Sequence, residues 1–333
     1  MPQKTCVVGA GSWGTALASL LATKGHEVTL WSRGAEVADL INARHENAVY
    51  LPGFQLPASL RATTFLPTAL EGAVLVVIVV PSHAMRPVAK AAVAHIGPQA
   101  MVVSASKGIE DDSCRTMFEV LAETLGGEDR LGVISGPSFA AEVCAGQPTV
   151  IVAAARREEE AARIQRWFAT MALRVYSSTD IIGVEIGGVV KNVMAIATGV
   201  SDGLGYGHNA RAALITRGLA EIARLAATLG GRPETLSGLS GIGDLVLTCT
   251  GDLSRNRQLG LRIGRGERVE EILAGMRMVA EGVRNTKAVK QLADRCGIEM
   301  PIVDAAYRVL YEGLSPREVL AELFGRSLKP EFR

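Results

Sequence analysis

No sign of charge prevails in this chain: 35 Lys and Arg stand against 34 Asp and Glu, a formal net charge of +1 over 333 residues. That balance argues against a broad basic field for nucleic acid and against an acidic disordered tail. Any bound anion must therefore be held by a few local cations. Cysteine is sparse too. Cys6, Cys114, Cys144, Cys249 and Cys296 form no C-x-x-C pair and no paired spacing, which disfavours a disulfide frame or zinc site and points to reduced thiols in the cytoplasm. The N-terminus has no charged-then-apolar secretory pattern, since its first apolar run reads as a strand. The most apolar segment, Ala73–Val80, is far shorter than the roughly 20 residues a bilayer needs. The helical stretch near Ile181 is interrupted by Glu185 and Lys191. We read no membrane span, no internal repeat and no metal-ligand cluster.

What is present begins at the first strand. Thr5-Cys6-Val7-Val8 runs into Gly9-Ala10-Gly11-Ser12-Trp13-Gly14 and then the apolar helical stretch Ala16–Leu21. A G-x-G-x-x-G motif alone is weak, but between a strand and a helix it has a mechanism. Across Gly9, Gly11 and Gly14 the backbone can turn tightly, approach a pyrophosphate closely and aim a helix N-terminus at it. Further strands are expected at Glu27–Trp31, Thr63–Leu66, Val74–Val80, Ala100–Ser104, Gly132–Ser135, Thr149–Val152 and Arg174–Tyr176, with helices between them such as Ser113–Leu125 and Glu158–Ala169. Continuous Val/Ile runs suit strands covered on both faces. The pattern predicts an α/β fold: an N-terminal Rossmann-type, doubly wound, mainly parallel sheet.

Beyond about Thr179 the strand signal stops. Ala210–Leu229, Val283–Arg295 and Val303–Tyr311 show helical periodicity, and Ser315-Pro316-Arg317-Glu318 reads as a helix start with a capping-box glutamate. We expect a dinucleotide-binding domain over 1–180, an all-α substrate and catalytic domain over 181–333, and a cleft between them. The second strand ends in Leu30-Trp31-Ser32-Arg33, without the carboxylate that bonds the NAD ribose. A hydroxyl followed by a guanidinium suits a 2′-phosphate, so NADPH is expected to be preferred, with NADH also accepted.

Three strand ends carry polar or backbone-specific residues: Pro81-Ser82-His83, Ser106-Lys107-Gly108 and Gly136-Pro137-Ser138-Phe139-Ala140. Together at one sheet edge they read as the floor of a site, with Lys107 as its cation and His83 as a packed or solvated residue. Gly183, Gly187, Lys191, Ala195 and Gly199 share one helix face. Small residues there allow close packing, but a lysine among them needs a carboxylate, a ligand or both. Lys191 is the catalytic candidate, with Asn192 beside it. Asp244, four residues before Thr248, is the available partner unless it only caps its helix. Ser254-Arg255-Asn256-Arg257 offers a set suited to phosphate or a solvated basic turn.

With these residues assembled, the chain resembles the bacterial-type NAD(P)-dependent sn-glycerol-3-phosphate dehydrogenases. The blocks GAGSWG, VPSH, SKGIE, ISGPSFAAE, IGGVVKNVMAIATG, ARAALITRGLAE, GIGDLVLTCT, SRNRQLG, VAEGVRNTKAV and EMPI carry the resemblance in order along nearly the whole length. It implies reduction of dihydroxyacetone phosphate to glycerol 3-phosphate, feeding phospholipid synthesis, by a cytoplasmic homodimer. It implies that Ser12, Trp13, Arg33, Tyr50, Lys107, Ala140, Arg255, Val279 and Glu281 touch the cofactor. Lys107, Gly136, Ser138, Lys191, Asp244, Ser254, Arg255 and Asn256 would form the substrate site, with Lys191 as acid and base. Lys107 and Arg255 would lower the lysine's pKa and Asp244 would raise it. Two rivals are a related dehydrogenase for a hydroxy acid or sugar acid, which has no need of the Ser-Arg-Asn set, and a cofactor-sensing module, which gains nothing from Lys191 and Asp244.

Overall fold

Apolar segments without polar alternation form the middle of one eight-stranded sheet, with strands Arg61–Thr63 and Leu173–Ser178 at its edges. The computed structural model describes residues 1–276, 281–328 and 330–331. The strands are β1 (Lys4–Val8), β2 (Glu27–Trp31), β3 (Arg61–Thr63), β4 (Leu75–Ile78), β5 (Met101–Ser104), β6 (Leu131–Ser135), β7 (Thr149–Ala155) and β8 (Leu173–Ser178). Their order is β3-β2-β1-β4-β5-β6-β7-β8, and every neighbouring pair is parallel except β6 with β7. This is the doubly wound, mainly parallel sheet expected.

Every residue of β4, β5 and β6 is buried, because alternate side chains feed separate cores on the two faces. Val7, Leu75 and Val77 pack with Leu17 and Leu21 of the first helix, Ser12–Thr23. Cys6, Val8, Val76 and Ile78 pack on the other face with Met85 and Phe118. The strand order reverses between β1 and β4, and the crevice beyond their carboxyl ends is where a doubly wound sheet binds its ligand.

Three local expectations need correction. The third strand lies at Arg61–Thr63 rather than Thr63–Leu66, because Leu66–Leu70 is a helix with Pro67 in its first turn. Proline brings a helical φ and no ladder donor. The helix expected from Ser113 starts at Met117, where Thr116 and Glu119 form a reciprocal capping box. Near the end, Ser315 does precede the helix Pro316–Phe324, but its side chain makes no capping bond.

From Ile181 onward the described residues form helices and turns. Asp180 caps the central helix, Ile181–Gly203, by accepting the Gly183 N–H at 2.9 Å. By length and composition this helix could cross a membrane, yet it is almost entirely buried inside the fold, as in a core helix. The small-residue stripe explains how closely it packs. A Cβ at Gly187 would lie 2.4 Å from the Ser240 carbonyl oxygen, and one at Gly199 would lie 2.2 Å from that of Arg257.

A buried carboxylate completes another helix in this half. Helix Pro301–Tyr311 lacks a side-chain cap of its own, and Glu221 of the neighbouring helix His208–Thr228 accepts from the N–H groups of Ile302 (2.8 Å) and Val303 (3.4 Å). Burial pushes this carboxyl up to about 7 despite the two donors. Glu221→Ala would leave both donors without it in a dry site, at a cost of about 1–3 kcal/mol. The expected result is a lower unfolding midpoint in urea with turnover nearly unchanged.

Candidate functional site

The glycine turn has the shape a dinucleotide needs. Gly9 has φ +120°, and a Cβ there would lie 2.3 Å from the Val79 carbonyl oxygen. A Cβ on Gly14 would fall 1.9 Å from the oxygen of Gly9, so the helix can sit against the strand only with glycine at that position. Around Gly11 a Cβ would meet nothing within 4 Å, leaving the backbone open to a ligand. The turn is fastened from above. Asn47, wholly buried, donates to the Ala10 carbonyl (2.9 Å) and to Thr15 Oγ1 (2.8 Å), while accepting from the Tyr50 N–H at 3.1 Å. Ser12 donates to the Tyr50 carbonyl at 2.7 Å. Tyr50 and Trp13 are half-buried beside this turn, and Ala140 opens the short helix Ala140–Cys144 that packs on the first helix.

At the end of β2, Ser32 is buried and donates to the Gly34 carbonyl at 2.9 Å, while Arg33 is exposed. The serine hydroxyl therefore serves the turn, and the guanidinium is left to face solvent or a ligand. These features fit a dinucleotide: a cradle only glycine can form, an open backbone above it and a cation at the adenosine end. Among the described residues, no group of three or more His, Cys, Asp or Glu side chains is arranged to hold a metal.

The strand ends and the helical half meet at one carboxylate. Asp244, wholly buried, opens the helix Asp244–Thr250 after a π-type turn, Leu239–Gly243, and makes no capping bond. Its Oδ1 accepts from Lys191 Nζ at 2.6 Å and its Oδ2 from Lys107 Nζ at 2.7 Å. Lys191 also donates to Thr248 Oγ1 at 2.8 Å, and the Thr248 hydroxyl donates to the Asp244 main-chain carbonyl at 2.6 Å. Lys107 reaches the Gly136 carbonyl at 3.3 Å, which also accepts from Ser138 Oγ at 3.0 Å. Position 136 requires glycine on two counts, a φ of +138° and a Cβ that would lie 2.9 Å from Ile151 Cα.

Lys191 is only 7% exposed. Burial pulls its pKa down to about 8, with Lys107 pulling the same way and Asp244 opposing both. Desolvation, the largest cause, and the second ammonium act against the shared carboxylate, and the net direction is down. His83 is exposed, and partial desolvation with Arg284 holds it below the usual imidazole range.

The basic turn divides into two roles. Arg257 is buried and bound to Asp202 from Nε (3.1 Å) and Nη2 (2.9 Å) and to Asp252 from Nη1 (2.9 Å), so it is structural. Arg255 is exposed. Ser254 caps the helix Arg255–Gly264, its Oγ accepting from the Arg257 N–H at 3.3 Å. Asn256 donates to Asn192 Oδ1 and accepts from the Gly282 N–H, both at 3.0 Å. That chain of amides links the lysine helix, the arginine turn and helix Glu281–Arg295. Glu281 is half-buried, and desolvation raises its carboxyl to about 7 against the pull of Arg255, Lys107 and Lys191. Val279 lies outside the described residues.

Sequence reasoning missed Asn47, whose bonds span 37 and 32 positions and leave no local signature. It also did not foresee that Arg257 and the Asn256 carbonyl already have partners.

Comparison with known proteins gives a consistent picture. Residues 4–161 match the N-terminal family of NAD-dependent glycerol-3-phosphate dehydrogenases, and residues 180–321 match the C-terminal one. The chain is 54% identical over 331 residues to glycerol-3-phosphate dehydrogenase [NAD(P)+] of Anaeromyxobacter dehalogenans, covering 99% of this chain and 100% of that one. The crystal structure of the Coxiella burnetii glycerol-3-phosphate dehydrogenase superposes with a TM-score of 0.94 at 43% identity, covering 98% of this chain and 99% of that one. The Saccharomyces cerevisiae enzyme superposes at 0.81 with 27% identity, covering 96% and 99%.

Proposed function

The chain belongs to the NAD-dependent glycerol-3-phosphate dehydrogenase family, and from that premise we propose that it reduces dihydroxyacetone phosphate to sn-glycerol 3-phosphate, reversibly, with Lys191 as acid and base. It is an oxidoreductase of a nicotinamide-dependent family. The observation that carries the proposal is the pair of lysines on one buried carboxylate, Lys191 at 2.6 Å and Lys107 at 2.7 Å from Asp244. Gly9, Gly11, Ser12, Trp13, Gly14, Arg33, Tyr50, Ala140 and Glu281 would hold the cofactor, with Lys107 and Arg255 shared between it and the substrate. When bound, the reduced nicotinamide supplies the hydride.

The chain's own residues handle the rest. Reduction turns the ketone oxygen into a developing alkoxide, which needs a proton in the same event. A protonated lysine has three N–H donors. Asp244 and Thr248 engage two of the Lys191 donors, and the remaining one is available to the ketone oxygen. A pKa of about 8 keeps Lys191 protonated at neutral pH, yet makes it a much stronger acid than an ordinary lysine. Arg255, with Ser254, Asn256, Gly136 and Ser138, holds the phosphate end and fixes the carbonyl relative to the ammonium. In the oxidising direction the neutral amine takes the proton from the alcohol. Division of labour at residue 180/181 fits this scheme, with sheet residues on the cofactor side and Lys191 and Asp244 on the helical side.

The assignment is tested by following NADPH and NADH absorbance on addition of dihydroxyacetone phosphate. Stoichiometric oxidation supports it; turnover of a non-phosphorylated hydroxy acid instead would replace it with the rival dehydrogenase. We also propose a preference for NADPH, resting on the exposed Arg33 and the missing carboxylate at the end of β2. Arg33→Asp is expected to raise KM for NADPH far more than KM for NADH, and equal changes would refute the preference. On the family resemblance we place the enzyme as a cytoplasmic homodimer whose product enters glycerophospholipid synthesis.

A further inference from the structure

Lys107 stands just beyond β5, yet it is held from the helical half at both ends. Its ammonium is on Asp244 at 2.7 Å, and its main-chain carbonyl accepts from Asn285 Nδ2 at 3.2 Å. The segment after it lies along the same helix, Glu281–Arg295. Arg284 pairs with Asp111 at 3.3 Å, and Arg295 donates to the carbonyls of Ser113 (3.1 Å) and Asp112 (3.0 Å). Gly108 is pressed into the joint: a Cβ there would lie 2.3 Å from Ser82 Cβ and 3.4 Å from Asn285 Oδ1. We infer that Asn285 is a positioning residue for the reaction, fixing the Lys107 main chain, and through it the Lys107 ammonium, against the helical side of the site.

Two features separate this role from ordinary packing. Asn285 is 1% exposed, and its Oδ1 is buried without a donor. An orphaned buried acceptor costs at least as much stability as one neutral hydrogen bond returns, so an apolar side chain would serve the fold as well. What only the amide provides is a donor to the Lys107 carbonyl. Asn285 also lies one helical turn after Glu281, on the same face, so the helix that presents Glu281 to the site anchors Lys107 as well.

The inference rests on the roles proposed above for Lys107 and Lys191, and a double-mutant cycle tests it. Asn285→Leu, close in shape but without donor or acceptor, is made in the wild-type enzyme and in Lys107→Met. Against the wild type it is expected to lower kcat roughly tenfold, below the 10²-fold that an ångström of misplacement can cost, with an unchanged unfolding midpoint. In Lys107→Met the same change should alter kcat less than about twofold, since residues acting through one another are not additive. An equal loss in both backgrounds, or a kcat that never falls, overturns the inference; Asn285→Ala repeats the cycle if the leucine variant does not fold.

Competitive amine labelling supplies a readout independent of turnover. Burial lowers the Lys191 pKa, Asp244 raises it and Lys107 lowers it, while Glu281 and Cys249 also lie within electrostatic reach of its ammonium and are left in place by the substitution. Displacing Lys107 should therefore move the Lys191 titration to higher pH in Asn285→Leu. An unmoved titration overturns the inference. Turnover of dihydroxyacetone phosphate by the wild type in the same assay tells failure of the assigned reaction apart from failure of Asn285.

Discussion

Lys191→Met is expected to lower kcat for dihydroxyacetone phosphate reduction at least about 10²-fold, the lower end of what positioned acid–base help contributes, while NADPH binds nearly as before. The site should survive the change. Methionine has much of the lysine stem's length and is apolar, suited to a position 7% exposed. Asp244 keeps Lys107 as its partner at 2.7 Å, so no buried charge is left alone. The glycine turn and Arg33 lie on the sheet side and do not depend on Lys191. Steady-state kinetics and a fluorescence titration with NADPH separate the two effects. Near-normal turnover in the variant would remove the proposed acid.

Asp244→Asn attacks the same cluster from the other side, with a larger structural effect. It leaves two ammoniums converging on a neutral amide in a dry site. Removing one member of a buried charge cluster typically costs about 3–5 kcal/mol, and the unfolding midpoint should fall accordingly. The pH profile should move as well, and its direction follows from the charges. With Lys191 as the proposed acid and its pKa lowered to about 8 by burial, reduction by the wild type is expected to slow as pH rises through that value. Asp244 holds that pKa up against burial and Lys107. Without the carboxylate the lysine deprotonates at lower pH, so the alkaline limb of kcat should shift to the acid side. A folded variant whose alkaline limb stays in place would mean that Lys191 is not the titrating acid.

Much of this was legible in the sequence because its causes are local. Val/Ile runs signal strands covered on both faces, and β1, β2 and β4 to β8 fall at or within a few residues of the segments so read. The turn Gly9–Gly14 announces itself, since strand, glycines and helix are contiguous. Lys191 stood out because a cation on a glycine stripe conflicts with packing, and its partner Asp244 could be found by asking what would resolve that conflict.

The less legible features depend on partners distant in the chain. Arg257 looked equivalent to Arg255 in its tetrapeptide, but Asp202, 55 positions away, claims it. Asn47 has no motif, and its role exists only once Ala10 and Thr15 lie beneath it. The capping glutamate expected at Glu318 failed for a related reason: the spacing permits the bond but does not compel it. At Thr116 the same spacing does form the reciprocal box, and it would have placed that helix start correctly.

Chemical rescue addresses the proton donor most directly. Lys191→Ala opens a space where a small primary ammonium ion can stand in for the missing side chain. With methylammonium or ethylammonium added, reduction of dihydroxyacetone phosphate should recover saturably, whereas tetramethylammonium, equally charged but without an N–H, should restore nothing. Equal recovery with tetramethylammonium, or none with any amine that demonstrably binds, would contradict proton delivery by Lys191.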